Sequence, residues 1–134
     1  MYFLKGFNES ANKAVQLSMK SAQEMGHIYV GSEHLLLGIC KEGTSGGAAL
    51  LMGRGITVPL VERAIIAAVG KGAKTNLRPE DFSANGSSIL ENAVKLAGED
   101  GSATVSPEHM LWAIAACEKC AAVAILNSYA IDGA

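Results

Sequence analysis

The stretch "VGSEHLLLGI" at residues 30–39 returns as "VSPEHMLWAI" at residues 105–114, and the 75-residue offset between the two holds well beyond them. Shifting the chain by 75 aligns residues 7–56 with 82–131 without a gap. Of the 50 pairs, 13 are identical, including Phe7/Phe82, Gly26/Gly101, Val30/Val105, Glu33/Glu108, His34/His109, Leu36/Leu111 and Ile39/Ile114. Other pairs exchange one apolar residue for another, as in Val15/Leu90 and Leu50/Ile125. Two copies are fewer than a solenoid needs to bury its repeating face, so the copies are expected to close on each other as a pseudo-twofold pair. At 134 residues the chain has room for one such domain and not for two ordinary ones.

Both copies read as helices, which makes the expected fold all-α. In the first, Asn8 stands as an N-cap, and Ala11, Ala14, Val15, Ser18, Met19, Ala22 and Met25 follow at steps of three and four before Gly26 ends the helix. The opposite, polar face is expected to carry Asn12, Lys13, Gln16, Lys20, Gln23 and Glu24. Ser32 is expected to cap a second helix that is apolar nearly all round, through Leu35, Leu36, Leu37, Ile39 and Cys40, and so belongs in the middle. A short helix over 48–52 and a fourth over 58–69, started by Thr57 with Pro59, complete the first repeat, 7–70. The polar, glycine-rich segment 71–81 is the linker. Repeat two, 82–134, restarts with Ser83 or Asn85 as cap, places Ser106 and Pro107 at the start of its central helix, and has a short helix around 119–127. Residues 132–134 align with Thr57–Pro59, so the second copy stops where the fourth helix of the first begins.

Composition excludes several functional classes. A formal charge of −2 with 49% apolar residues marks neither a nucleic-acid binder nor a membrane-surface protein. No apolar run approaches the roughly 20 residues that cross a bilayer, and "MYFLKGFNES" lacks the layout of a signal peptide, which points to the cytoplasm. Three cysteines, Cys40, Cys117 and Cys120, fit reduced thiols. The C-x-x-C at 117–120 has no second pair to complete a zinc site and no preceding strand, so it reads as coincidental helical spacing, with no metal or cofactor expected.

The paired Glu-His is no acid-base couple, because adjacent helical residues point about 100° apart. His34 and His109 read as core histidines bonded to backbone carbonyls. Glu33 and Glu108 gain about 0.3–1 kcal/mol from the helix dipole in a first turn. The same helix start offers N–H groups to a phosphate beside a carboxylate that suits a guanidinium.

The pieces "FNESA" at 7–11, "MGHIYVGSEHLLLGI" at 25–39, "EG" at 42–43 and "LLMGRGI" at 50–56 resemble the amino-terminal domain of Clp unfoldases of the ClpA/ClpC type, the double Clp N motif. The first copy is close to the family pattern and the second more divergent. The resemblance implies a non-catalytic domain of two four-helix repeats, mounted on a hexameric ATPase, that receives adaptor proteins and protein substrates in a protease and unfolding system. Some ClpC-type members bind phosphoarginine at two equivalent sites, which implies Ser32, Glu33 and Glu108 as ligand-binding residues here. Pro107 takes a hydroxyl and an N–H from the second site. The alternative is a free-standing Clp N-like regulatory protein without a motor, and in either case the isolated domain is expected to be a monomer. No G-x-x-x-x-G-K-[ST] occurs, and "GKGAKT" has the wrong spacing for a phosphate cradle. The purified chain is therefore expected neither to bind nor to hydrolyse ATP, and micromolar nucleotide affinity in calorimetry would contradict this.

Overall fold

Short-range chemistry at the caps sets where each helix begins. The computed structural model describes residues 4–78, 81–117 and 120–128. Among them are seven helices and no strands: α1 Glu9–Glu24, α2 Ser32–Glu42, α3 Gly46–Gly53, α4 Val58–Val69, α5 Ala84–Glu99, α6 Pro107–Ala116 and α7 Ala121–Ser128. Side chains of Asn8, Ser45, Thr57 and Ser83 accept hydrogen bonds from Ala11, Ala48, Leu60 and Gly86 N–H, satisfying first-turn donors that have no partner inside the helix. The all-α expectation holds, with α3 and α7 displaced by a few residues from the expected ranges. The expected missing fourth helix of the second copy falls on residues 129–134, outside the described residues.

Two sequence expectations are corrected. Asn12, assigned to the polar face of α1, is buried. Its amide donates to the Leu4 and Phe7 carbonyls at 3.1 and 3.0 Å and its oxygen accepts from Leu4 N–H, so it fastens the segment that precedes the helix. A helical count scores Asn as polar and cannot foresee that the backbone laid over it supplies every partner. Cys117 and Cys120 do not share a helix either: Cys117 is the C-cap of α6 and Cys120 stands just before α7, with its thiol 3.2 Å from the Cys117 carbonyl.

Helix α2 contacts all six other helices. Every residue from Gly31 to Cys40 is buried, as its all-round apolarity requires. Helix α1 approaches it most intimately at Gly38, where even a single added Cβ would run into the Ala14 carbonyl and the Ser18 hydroxyl. In the second copy Ala113 and Ala93 take the places of Gly38 and Ser18.

The two copies are joined by backbone hydrogen bonds that reproduce the 75-residue offset. Asn8 N–H donates to Val105 O at 2.8 Å and Val105 N–H to Gly6 O at 2.8 Å. Adding or subtracting 75 at both ends gives the matching pair, Ser83 N–H to Val30 O at 2.9 Å and Val30 N–H to Asp81 O at 3.0 Å. These two isolated bridges, Phe7 with Val105 and Val30 with Phe82, lock the entry to each copy's first helix to the entry of the other copy's central helix. The pseudo-twofold is thus written in bonds as well as in sequence.

Leu35, Leu36, Ile39, Leu111 and Ile114, the expected core residues, are all buried in one continuous cluster. Truncating such a residue costs about 2–5 kcal/mol, so Leu36→Ala is expected to lower the melting midpoint by several degrees in a calorimetric scan. The exposed change Lys20→Ala is expected to leave it within a degree or two.

Candidate functional site

At the start of α2, one turn of helix sends three consecutive side chains to three different places. Gly31 is the N-cap, with extended backbone. His34 turns inward and its Nδ1 accepts the Gly31 N–H at 2.9 Å. This is the reciprocal half of a capping box, performed by an imidazole where Glu or Gln usually acts. His109 does the same for Ser106 N–H at 3.0 Å. The expectation that these histidines meet backbone carbonyls is therefore corrected. A neutral ring has one acceptor nitrogen, and here an uncapped N–H claims it.

Ser32 does not cap its own helix, as the sequence suggested. Its hydroxyl is buried and accepts Ala122 N–H at 3.1 Å, which caps the first turn of α7 from the other copy. Position 122 corresponds to Gly47 under the 75-residue offset, and Gly47 N–H, in the first turn of α3, is also capped from across the repeat. There the acceptor is Glu108 Oε1, at 3.1 Å. Pro107, the counterpart of Ser32, has no hydroxyl to offer, and the neighbouring carboxylate does the work instead. The two copies have exchanged which residue performs one structural task.

That exchange leaves Glu33 in a different position from Glu108. Glu33 is only 4% exposed, and among the described residues the Tyr29 hydroxyl, donating to Oε2 at 3.0 Å, is its side-chain hydrogen-bond partner. Its carboxylate edges a cleft of about 240 Å³ otherwise lined by Ala64, Ile65, Ala68 and Val69 of α4 and Ala121, Ala124 and Ile125 of α7. Gly31 makes this possible, since a Cβ there would collide with Glu33 Oε1 and lie 2.9 Å from the Tyr29 ring. Burial, then the Glu33 charge, then the hydrogen bond to it together push the Tyr29 phenol up to about 12, so at neutral pH it stays a donor.

Ser32 and Glu33 therefore meet at the α2–α7 junction, whereas Glu108 sits apart at the α6–α3 junction. Tyr29 and Gly31 escaped the sequence reading; the four-residue spacing of Tyr29 and Glu33 across a cap was the available signal. Among the described residues no group of three or more His, Cys, Asp or Glu side chains is placed to hold a metal ion, and no single helix is long and apolar enough to cross a membrane.

The profile of the Clp repeat (R) N-terminal domain matches residues 6–129. This chain belongs to that family. The Clp N domain is similar to chloroplastic ClpC3 of Oryza sativa subsp. japonica, a chaperone protein, at 29% identity over 126 residues. It is also similar to the ClpA homolog of Trieres chinensis, an ATP-dependent Clp protease ATP-binding subunit, at 34% over 108 residues. Those alignments cover 94% and 81% of this chain but only 13% and 12% of the relatives. In fold it matches the N-terminal domain of ClpD from Arabidopsis thaliana with a TM-score of 0.80 at 23% identity, covering 99% of this chain and 90% of that one. The Candida albicans Hsp104 N-terminal domain follows with a TM-score of 0.74 at 15% identity, over 96% and 85% of the two chains. The ClpA/ClpC-type resemblance, expected of the two copies together over nearly the whole chain, is matched over residues 6–129.

The half-buried phenol offers a direct check on the site's electrostatics. In an ultraviolet titration, the component removed by Tyr29→Phe is expected to ionise near pH 12. Glu33→Gln is expected to bring it part of the way back toward 10, because it removes the Glu33 charge while leaving burial and an amide oxygen that still accepts the phenol.

Proposed function

We propose that this Clp N domain is a recognition module through which a Clp-type ATPase receives adaptor proteins and protein substrates, and that its primary contact is the α2–α7 junction. The observation that carries this reading is the Glu33 carboxylate, buried at the edge of an apolar cleft. An ionised carboxylate accepts at about four lone-pair positions, and one phenol leaves most of that capacity open. A cationic group carried on an apolar stem matches the arrangement, with the stem lying against the alanines of α4 and α7.

The ligand proposed for this place is a phosphoarginine side chain. Its guanidinium would pair with Glu33, as planar guanidinium groups do with carboxylates, and its phosphate would meet the first-turn N–H groups of α2. Ser32 contributes by holding α7 in place through Ala122, so its hydroxyl acts on the ligand mainly through geometry. Glu108 is the weaker site in this reading, because its carboxylate already caps α3 and Pro107 supplies neither hydroxyl nor N–H. The motor, its ATP chemistry and any protease partner would reside in sequence corresponding to the remainder of the longer relatives.

Isothermal titration of free phosphoarginine into the wild-type chain, Glu33→Ala and Glu108→Ala tests the proposal. Saturable binding is expected, weakened at Glu33→Ala by about 1.5–3 kcal/mol, the scale of hydrogen bonds to charged groups, and by less at Glu108→Ala. Absence of saturable binding to wild type would overturn the ligand assignment, and equal losses at the two glutamates would overturn the ranking.

A further inference from the structure

Two buried histidines form a hydrogen-bonded relay between the start of α2 and the end of α4. His34 is fully buried and His27 is 6% exposed. Gly31 N–H donates to His34 Nδ1 at 2.9 Å, His34 Nε2 lies 2.7 Å from His27 Nδ1, and His27 Nε2 lies 2.8 Å from the Gly70 carbonyl oxygen. The two ends of this relay fix every hydrogen in it. A backbone N–H enters at one end, so His34 Nδ1 is an acceptor and His34 carries its hydrogen on Nε2. His27 Nδ1 receives that hydrogen, and His27 Nε2–H donates to the carbonyl at the far end. Both rings are neutral, each in a single tautomer, and every position is matched.

We propose that this pair is an acid-sensitive latch, which when neutral fastens the C-terminal end of α4 and the segment following it to the start of α2, and when protonated releases them. A second proton on His34 would set its Nδ1–H against the Gly31 N–H, and one on His27 would set two ring N–H groups against each other. Tyr29 is the titratable side chain in contact with the rings, 5.3 Å from His34 and 6.1 Å from His27 between centroids, and it is neutral throughout the acid range. Glu33 lies beyond it, bonded to its hydroxyl. On the flanking elements, Glu24 of α1 and Lys71 and Lys74 after α4 are exposed to solvent and offer no buried anion to stabilise a charged ring. Beyond the latch, Leu77 packs against the cluster of Met19, Ala22 and Val30. The segment is also tied to α1, its C-cap and His27: Gly72 and Thr75 N–H donate to Met25 and Gln23 carbonyls, the Thr75 hydroxyl to His27 O and Leu77 N–H to Gln23 Oε1. Its close approach is possible because Gly26, at φ +77, has no Cβ to strike the Gly72 backbone.

Burial, with His27 adding to it, lowers His34 from the ordinary 6.5 to about 4. Released His34 therefore binds a proton more readily than latched His34, and the latch loses stability as pH falls from about 6.5 toward 4. At pH 5 the balance shifts toward the open form by roughly ten- to thirty-fold relative to neutral pH. The second copy lacks the second buried histidine, since His109 Nε2 meets the exposed carboxylate of Asp100 at 2.7 Å and no relay runs on from it to a backbone carbonyl.

The test uses the wild-type chain and His34→Gln, whose side-chain oxygen keeps an acceptor for Gly31 N–H as a capping-box glutamine does. Long-range proton-nitrogen NMR at pH 7.5 is expected to show both rings protonated on Nε2 alone. Amide exchange at Gly31, Gly72 and Thr75, corrected for intrinsic rates, is expected to accelerate roughly ten- to thirty-fold at pH 5, with a melting midpoint several degrees lower. His34→Gln is expected to show a smaller change in both between the two pH values, whatever its stability at pH 7.5. A hydrogen on His34 Nδ1, or unchanged protection of the three amides in wild type at pH 5, overturns the latch. Should the variant not fold, the wild-type NMR and exchange results decide.

Discussion

Burying α2 on every side is the constraint from which the other arrangements follow. A helix that contacts six others, and is buried from Gly31 to Cys40, leaves its backbone groups little access to water, so those groups must find partners within the protein. Its apolar middle, Leu35–Leu37 with Ile39 and Cys40, poses no difficulty. Its first turn does, because helix N-termini carry donors without internal partners. An imidazole three residues into the helix removes one such donor without bringing a charge into the core, and that explains why a histidine stands where a capping box normally has a carboxylate. The same need at α6 is met by His109.

Duplication then gives each central helix a second role toward the opposite copy. The first turns of α3 and α7 both reach into the start of a central helix across the pseudo-twofold, and both have an N–H capped there. One residue suffices at each junction. Where position 32 keeps a hydroxyl, the adjacent glutamate has no such duty; where position 107 is proline, the glutamate is committed to it. Divergence at a single position thereby separates two carboxylates that look identical in sequence into a structural one and one with spare acceptor capacity.

The partners of the two histidines diverge in a similar way. His34 faces another buried histidine, and His109 faces an aspartate held below its ordinary range, chiefly by the Ser102 hydroxyl and then by His109 itself. The first arrangement closes a neutral relay inside the protein, while the second joins a buried ring to an exposed carboxylate. Neither partner is part of the Glu-His repeat itself. They come from the stretches before each central helix, where His27 aligns with Ser102 and Asp100 with Met25, positions at which the two copies differ.

Sequence alone determined that the chain is helical, duplicated and centred on the apolar helix that carries Leu35 to Cys40, because helical periodicity, glycine stops and a 75-residue self-match are local or internal properties of the string. It also marked Glu33 and Glu108 as equivalent first-turn carboxylates. What it did not determine are the contacts made at long range: Asn12 turned inward to bind its own leading segment, Ser32 capping α7 ninety residues away, Glu108 capping α3, and Tyr29 and Gly31 shaping the pocket of Glu33. A polar residue in a sequence announces that it needs a hydrogen-bond partner, but which partner it finds depends on what the packed chain brings within about 3 Å, and only the tertiary structure supplies that.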